Sequence, residues 1–269
     1  MKKTLLVLGA LISAFQLSAQ PKLSADNIDE VLEAMTLEEK AALCVGAGRG
    51  YQLGGLTFSS TVLVPGAAGT TLAIPRLGIP ATALPDGPAG IRISPTREGD
   101  SRTYYGTGFP VGTAIASSWD TELVEHMTSA MGNEVLEYGA DVLLAPAMNI
   151  HRNPLCGRNF EYFSEDPVLA GKIGAAYVRG IQSNGVGTSV KHFAANDQET
   201  NRMENDSRVD TRALREIYLK GFEITVKEAQ PWTIMSSYNK LNGEYAQQSH
   251  DLLTKILRDE WGFDGIVMT

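Results

Sequence analysis

The feature that most constrains the fold is a repeated alternation between short apolar runs and longer helical patterns. The apolar runs do not alternate polar with apolar residues, as is typical of parallel strands covered on both faces, and they occupy residues 140–145, 187–190, 233–236 and 265–268. Helical patterns lie between them, at about 120–138, 167–183, 210–229 and 249–260. Strand–helix units of this size predict a parallel α/β sheet, either open or closed into a barrel.

Two of these helices have recognisable start signals. Asp166 precedes Pro167, which places a capping carboxylate before a proline at the first helical position. Asp210 or Thr211 can cap the following helix, in which Leu214 and further apolar residues recur with a 3.6-residue period. The sequence therefore predicts the entry points of both helices.

The N-terminal part of the chain has a different pattern, a predicted helix followed by a loop. A helix is predicted over Asp26–Ala42, where polar caps precede apolar residues at helical spacing. Residues 44–79 are rich in Gly, Thr and Ala and have no clear period, which predicts a long, partly ordered loop.

The charge balance restricts the class of ligand. The chain has 269 residues, with 23 basic and 31 acidic side chains and a net charge of −8. An acidic chain is a poor candidate for binding nucleic acid or an anionic membrane surface, and a neutral or cationic small substrate remains. A chain of this length can bury a core without disulfides, so Cys44 and Cys156 are compatible with either a bridge or two free thiols.

The first 19 residues have the layout of a secretory signal peptide. Lys2 and Lys3 precede an almost wholly apolar stretch, residues 5–15, and small residues end the segment at Ala19. The alternative is an uncleaved anchor, but a membrane-spanning helix needs roughly 20 apolar residues and this run is shorter. We expect cleavage after Ala19 and a secreted or periplasmic protein.

Polar residues cluster where the predicted strands end, which is where parallel barrels carry their chemistry. They are Asp86 after residues 81–84, the segment 149–153 with Arg158, then Lys191, His192, Asn196, Asp197 and Glu199, and finally residues 237–240. Their many donors and acceptors suit a neutral polyhydroxylated ligand. Taken alone, Lys191-His192 has the alternative reading of a surface lysine beside a core histidine.

Other motifs predict neither a cofactor nor a metal. The glycine-rich segment 46–50 follows a helical pattern rather than a strand, so it does not fit a phosphate-binding loop. The four histidines are scattered, and none forms a His-Glu-x-x-His pair.

Five of these segments resemble, in chain order, signatures of glycoside hydrolase family 3. They are residues 86–92 (DGPAGIR), 157–167 (GRNFEYFSEDP), 190–193 (VKHF), 196–202 (NDQETNR) and 235–243 (MSSYNKLNG). The resemblance spans roughly residues 26–269 and is to the β-glucosidase branch. The N-acetylglucosaminidase branch has a Lys-His-Phe-Pro-Gly-His-Gly loop, whereas Phe193 is followed here by Ala194.

The resemblance implies a (β/α)8 barrel over residues 80–269, incomplete at its C-terminal end and preceded by a helix and loop over 20–79. It implies a retaining exo-β-glycosidase of the β-glucosidase type, which acts on a β-linked oligosaccharide or glucoside through two carboxylates and hydrolyses terminal non-reducing β-D-glucosyl residues. The alternatives are a β-xylosidase or related exo-glycosidase, or a catalytically dead sugar-binding protein. The family's nucleophile would follow Thr269 and its acid/base would lie in a second domain, so we expect the 269-residue chain alone to be inactive.

The resemblance also assigns substrate-binding roles to residues of this sequence. Asp86 would accept hydrogen bonds from sugar hydroxyls far from the leaving group. Arg158, Lys191 and His192 would contact hydroxyls around the ring. For Arg158, an ion pair with Glu161 is the structural alternative.

Four further residues take roles from the same resemblance. Arg202 would lie near the 2-hydroxyl or the nucleophile, and Tyr238 would orient the nucleophile. Met235 would line the pocket, with a plain core position as its alternative. Arg92 would hold the Asp86 loop.

Overall fold

The computed structural model describes residues 20–46, 51–53, 56–58 and 63–269; the predicted signal peptide over 1–19 lies outside the described residues. The α-helices are α1 (Ile28–Ala34), α2 (Leu37–Val45), α3 (Gly112–Ala116), α4 (Thr121–Glu137), α5 (Pro167–Gln182), α6 (Thr211–Ala213) and α7 (Lys220–Ala229). The π-helical segments are Leu214–Tyr218 and Asp251–Glu260, and the 3-10 turns are Pro75–Leu77 and Ala246–Gln248. The strands are β1 (Tyr51–Leu53), β2 (Leu56–Phe58), β3 (Gly69–Thr70), β4 (Ala83–Leu84), β5 (Val142–Leu143), β6 (Gly187–Phe193), β7 (Asp206–Ser207), β8 (Thr233–Ser236), β9 (Lys240–Leu241), β10 (Glu244–Tyr245) and β11 (Ile266–Met268).

The central sheet is parallel and its strands follow one another in chain order. β5, β6, β8 and β11 are neighbours in that sequence, and a parallel bridge between Asp86 and Leu144 adds the end of the β4 segment beside β5. Each crossover steps to the next strand on the same side, whereas a doubly wound sheet reverses its direction. The described residues therefore form an arc of a (β/α) barrel, and the predicted fold class is confirmed.

Helices cover the outer face of this arc. α4 packs against α5, and α5 packs against α7. The ring centroid of Phe193 on β6 lies 5.2 Å from the ring centroid of Phe222 and 5.8 Å from that of Trp261. Close approach of α5 to α7 requires Gly174, because a Cβ there would lie 2.8 Å from the hydroxyl oxygen of Thr225. No helix in the described part of the chain has the length and apolarity needed to cross a membrane.

The predicted helix starts are confirmed. The Asp166 carboxylate accepts hydrogen bonds from the first-turn amides of α5, and Pro167 is the first helical residue. Asp210, rather than Thr211, caps the next helix by accepting from the amide of Ala213. The helical segment after it is interrupted by the π turn at Leu214–Tyr218.

The single helix predicted over Asp26–Ala42 is wrong, because the structure has two helices there. Met35 is extended, with ψ of 138°, and Thr36 begins α2 with a capping box: its hydroxyl accepts from the amide of Glu39, whose carboxylate accepts from the Thr36 amide. A capping box satisfies two amides at a helix start, so the chain restarts at Thr36 although its apolar pattern runs through.

The segment predicted as a loop over 44–79 contains short strands. β1 pairs with β2, and β3 pairs with β4 across the boundary predicted between residues 79 and 80, which itself stays a prediction. Cys44 is exposed, Cys156 is buried, and both are free thiols.

Candidate active site

The Asp86 loop follows β4 at the carboxyl end of the sheet. The loop closes where the backbone carbonyl of Asp86 accepts a hydrogen bond from the amide of Arg92 at 2.8 Å. Gly87 has a φ of +151°, and a Cβ there would lie 1.9 Å from the carbonyl oxygen of Gly90. The loop can therefore take this shape only with glycine at position 87. Arg92 acts here through its backbone, and its side chain is exposed.

The carboxylate of Asp86 is paired with a buried lysine. Lys191 Nζ donates to Asp86 Oδ1 at 2.6 Å, with the lysine side chain 3% and the aspartate side chain 35% exposed. A buried ammonium requires such a partner, because an unpaired charge away from water is strongly destabilising. Asp86 thus neutralises Lys191 and still offers part of its carboxylate to solvent.

An irregularity in β6 brings two neighbouring side chains into the site. Val190 is paired with Ile234 and Phe193 with Ser236, so three steps along β6 correspond to two along β8. In a regular strand neighbouring side chains point to opposite faces, and a bulge re-aims them. Lys191 and His192 consequently both contact residues of the site.

His192 belongs to a second buried chain of contacts. Arg158 Nε donates to the carboxylate of Glu161, and Arg158 Nη1 lies 3.1 Å from His192 Nε2. Burial opposes the charge of Arg158, but the neighbouring Glu161 carboxylate more than offsets it and raises the arginine pKa. The ion pair with Glu161, the structural alternative for Arg158, is therefore present, and contact of Arg158 with sugar hydroxyls stays a prediction.

His192 is neutral in this environment. Burial holds the pKa of its imidazole well below the ordinary value, and the positive charges of Arg158, Lys191 and Arg202 lower it further. Because Arg158 can only donate, we assign the acceptor role to Nε2 and the proton to Nδ1. Nδ1 is buried and has no partner among the described residues, so it is a donor that a bound molecule could use.

Arg202 and Tyr238 are a third pair of predicted site residues that contact each other. The guanidinium carbon of Arg202 lies 5.0 Å from the centroid of the Tyr238 ring, within range of a cation–π contact. Arg202 Nε is 3.2 Å from a carboxylate oxygen of Glu199, whose other oxygen accepts from Asn196 at 3.1 Å. Since Arg202 contributes to the pKa of His192, the two groups share one electrostatic environment.

The structure thus joins six of the eight predicted residues and leaves two apart. Asp86 contacts Lys191, Arg158 contacts His192, and Arg202 contacts Tyr238. Met235 is half-buried on β8 beside Met268 of β11 and makes no polar contact with the others, and the Arg92 side chain points to solvent. Whether each of the eight binds sugar stays a prediction.

The eight assigned substrate-binding residues do not include Glu161 or Asn149, although Asn149 is one of the strand-end polar residues and Glu161 is the alternative partner of Arg158. Glu161 is 5% exposed and anchors Arg158; a carboxylate three residues after an arginine and between two aromatic residues was the available signal. Asn149 is 1% exposed and bonds the backbone of His192, a contact between distant segments for which the sequence has no signal.

Asp197 is a further buried carboxyl beside the site. Its Oδ1 accepts from the amide of Ile150 at 2.9 Å, and burial raises its pKa to about 7 although that hydrogen bond and nearby Arg152 both lower it. The described residues contain no group of three or more potential metal ligands.

Comparison with known proteins places this geometry in a family. The model of the glycosyl hydrolase family 3 N terminal domain matches residues 82–269. A thermostable beta-glucosidase B of Acetivibrio thermocellus is 46% identical over 250 residues, which are 91% of this chain and 30% of that protein. An exo-alpha-(1->6)-L-arabinopyranosidase of Bifidobacterium longum is 48% identical over 239 residues, 87% of this chain and 29% of that protein.

Solved structures agree with these sequence relatives. The structure of beta-glucosidase 3B from Thermotoga neapolitana in complex with glucose is 60% identical, has a TM-score of 0.84, and aligns with 89% of this chain and 33% of that one. The chain spans about a third or less of the length of these relatives. The chain belongs to glycosyl hydrolase family 3.

Proposed function

We propose that the protein is a retaining exo-β-glycosidase that removes terminal β-D-glucosyl residues, and that this chain supplies the pocket for the sugar being released. The observation that carries the proposal is the pair of buried networks, Asp86–Lys191 and Glu161–Arg158–His192, at the strand ends of a chain 60% identical to a glucose-bound beta-glucosidase. The protein's activity and substrate are inferred from this combination.

The two networks offer complementary groups to a sugar ring. Asp86 is a fixed acceptor, since Lys191 holds one of its oxygens while the carboxylate stays about one-third exposed. Arg158 and neutral His192 offer donors, including the unpartnered Nδ1 of the imidazole. Each sugar hydroxyl both donates and accepts, so fixed groups of both kinds select a particular arrangement of hydroxyls.

Neither Asp86 nor Glu161 is assigned to bond breaking. A retaining mechanism needs one carboxylate to attack the anomeric carbon and another to transfer a proton to and from oxygen. Asp86 and Glu161 are each committed to a buried cation, which leaves them unsuited to either step. Asp264 precedes β11 and lies at the amino end of that strand, away from the site. The residues of this chain bind and orient the sugar.

The proposal extends to where the protein works. The sequence of residues 1–19 supports export by a cleavable signal peptide and a secreted or periplasmic location. Mass spectrometry of the N-terminal peptide of the protein recovered from the extracellular or periplasmic fraction should show a chain that begins at Gln20. An intact N-terminus on protein found only in the cytoplasm would contradict export.

A panel of aryl glycosides tests the proposed activity. The full gene product should hydrolyse a nitrophenyl β-D-glucoside with a higher kcat/KM than the matching β-D-xyloside. Lys172→Ala, which removes an exposed ion pair with Glu228, should leave the rate unchanged. Absence of turnover with tight glucose binding would indicate a sugar-binding protein, and absence of both would refute the proposal.

A second substrate is included because of one specific relative. The arabinopyranosidase of Bifidobacterium longum is 48% identical to this chain. The panel therefore also contains an α-L-arabinopyranoside. If it or the xyloside is the preferred substrate, the exo-glycosidase assignment stands and the glucosyl specificity is wrong.

A further inference from the structure

The backbone ladder between the β5 segment and β6 stops just before His192. The Lys191 amide donates to the carbonyl of Pro146 at 2.9 Å, and the Lys191 carbonyl accepts from the amide of Met148 at 2.8 Å. Beyond this point the chain after β5 turns away towards the Arg158 loop. The bulged residue His192 therefore needs a partner other than the next backbone group.

At His192, the side-chain amide of Asn149 replaces a backbone group as the hydrogen-bond partner. Asn149 Oδ1 accepts from the His192 amide at 2.9 Å, and Asn149 Nδ2 donates to the His192 carbonyl at 2.9 Å. Asn149 is 1% exposed, so neither bond has water as a ready substitute. The two bonds fix the orientation of the amide, since a flipped amide would oppose donor to donor and acceptor to acceptor.

The loop after β6 makes a similar contact, in which its own side chain bonds the backbone of the segment after β5. Asp197, 6% exposed, accepts from the amide of Ile150 at 2.9 Å. Asn149 and Ile150 are consecutive, so the segment after β5 holds the backbone of β6 at His192, and the loop after β6 holds the backbone of that segment at Ile150. We call this pair of contacts the reciprocal clamp.

We propose that the reciprocal clamp of Asn149 and Asp197 positions Lys191 and His192 for sugar binding, which makes Asn149 a positioning residue; this rests on the proposed function. Fixing the His192 backbone sets the imidazole against Arg158 and, one residue earlier, the ammonium against Asp86. Asn149 contacts the backbone of His192 directly, and Lys191 of the other network is the preceding residue of the same strand.

Position 149 requires a side chain with both a hydrogen-bond donor and an acceptor. Asparagine supplies one acceptor and one donor in the geometry of a peptide group. Aspartate has the same shape but presents an acceptor to the His192 carbonyl, which replaces a hydrogen bond with repulsion. Alanine leaves both buried groups of His192 unpaired. Aspartate at 149 should therefore displace His192 while changing the packing volume very little.

The chain contains a matched control for this substitution. Asn242 makes the same two-bond pattern with the backbone of Val209, accepting from its amide at 2.9 Å and donating to its carbonyl at 2.8 Å. That contact lies in an exposed hairpin outside the site. Asn242→Asp repeats the chemical change without touching the clamp.

Calorimetric titration of the full gene product with D-glucose separates positioning from stability. The dissociation constant reports the geometry of folded molecules, and the stoichiometry reports the fraction that is folded. Asn149→Asp and Asp197→Ala should each raise the dissociation constant at least tenfold at unchanged stoichiometry. Asp197→Asn, which keeps the acceptor, and Asn242→Asp should stay within twofold of wild type.

The outcomes distinguish this inference from the proposed function. If wild type does not bind glucose, the proposed function fails. If wild type binds and Asn149→Asp binds equally well, or loses only stoichiometry, the clamp is structural and the inference is wrong. If Asn149→Asp does not fold, glucose binding by Asp197→Ala within twofold of wild type would overturn the inference in the same way.

Discussion

Removing the carboxylate of Asp86 should damage both activity and stability, for separable reasons. In the proposed pocket Asp86 accepts hydrogen bonds from sugar hydroxyls, each worth roughly 1.5–3 kcal/mol when one partner is charged. Loss of two such bonds at the transition state would lower kcat/KM by about 10² to 10⁴. Asp86→Ala in the full gene product is the direct test.

The loss of stability follows from Lys191, which is left without its ion-pair partner. Lys191 is buried and its ammonium is held by Asp86 at 2.6 Å. Removing one partner of a fully buried ion pair costs about 3–5 kcal/mol. Asp86 is about one-third exposed and water screens the pair, so we expect a loss of about 2–3 kcal/mol.

A second substitution separates the two effects. Adding Lys191→Met to Asp86→Ala removes the stranded charge and keeps the apolar stem, so most of the unfolding free energy should return. Activity should not return, because both groups that we propose to bind the sugar are then absent. Urea unfolding and kcat/KM measured on the same preparations provide the comparison. A double variant with activity within a few-fold of wild type would remove both residues from the site.

Three other expectations follow from single residues. Because burial raises the pKa of Asp197 to about 7, the folded state holds the proton of this carboxyl more tightly than the unfolded chain does. The resulting contribution to the free energy of unfolding is fully present below about pH 4 and is lost as the pH rises through 7. Asp197→Asn keeps the acceptor for the Ile150 amide. Measured by urea unfolding, its free energy of unfolding relative to that of wild type should rise by about 2–3 kcal/mol from pH 5 to pH 8. A difference that does not change with pH would refute this. Glu161→Gln loosens a buried arginine and should lower kcat/KM about tenfold with a stability loss of about 2 kcal/mol; unchanged kinetics would contradict its role. Gly87→Ala should lower kcat/KM more than tenfold because its Cβ would strike a carbonyl of the same loop, while Gly139→Ala, also at positive φ but with open space, should not.

The fold was largely readable from the sequence because it depends on local patterns. Unbroken apolar runs and 3.6-residue periods marked β6, β8, α4 and α5, and the Asp166-Pro167 cap marked a helix start. The break at Thr36 was missed because an apolar period continues across it, whereas the capping box that decides the restart involves only two side chains.

From the sequence, the strand-end residues can be grouped and one contact, the Arg158–Glu161 ion pair, can be named, whereas the other contacts cannot. The carboxyl ends of parallel strands meet at one edge, which explains why strand-end residues could be grouped. The pairing of Lys191 with Asp86 joins positions 105 residues apart. The bulge in β6 and the amide of Asn149 follow from how neighbouring segments pack, and no pattern in either segment alone contains that information.

A crystal structure of the full gene product with bound D-glucose tests the central claim most directly. We expect one glucose at the carboxyl end of the sheet, with Asp86 and Lys191 within hydrogen-bond distance of its hydroxyls and with Arg158 and His192 on others. Glucose bound elsewhere, or bound at this edge without contacts to Asp86 and Lys191, would contradict the account.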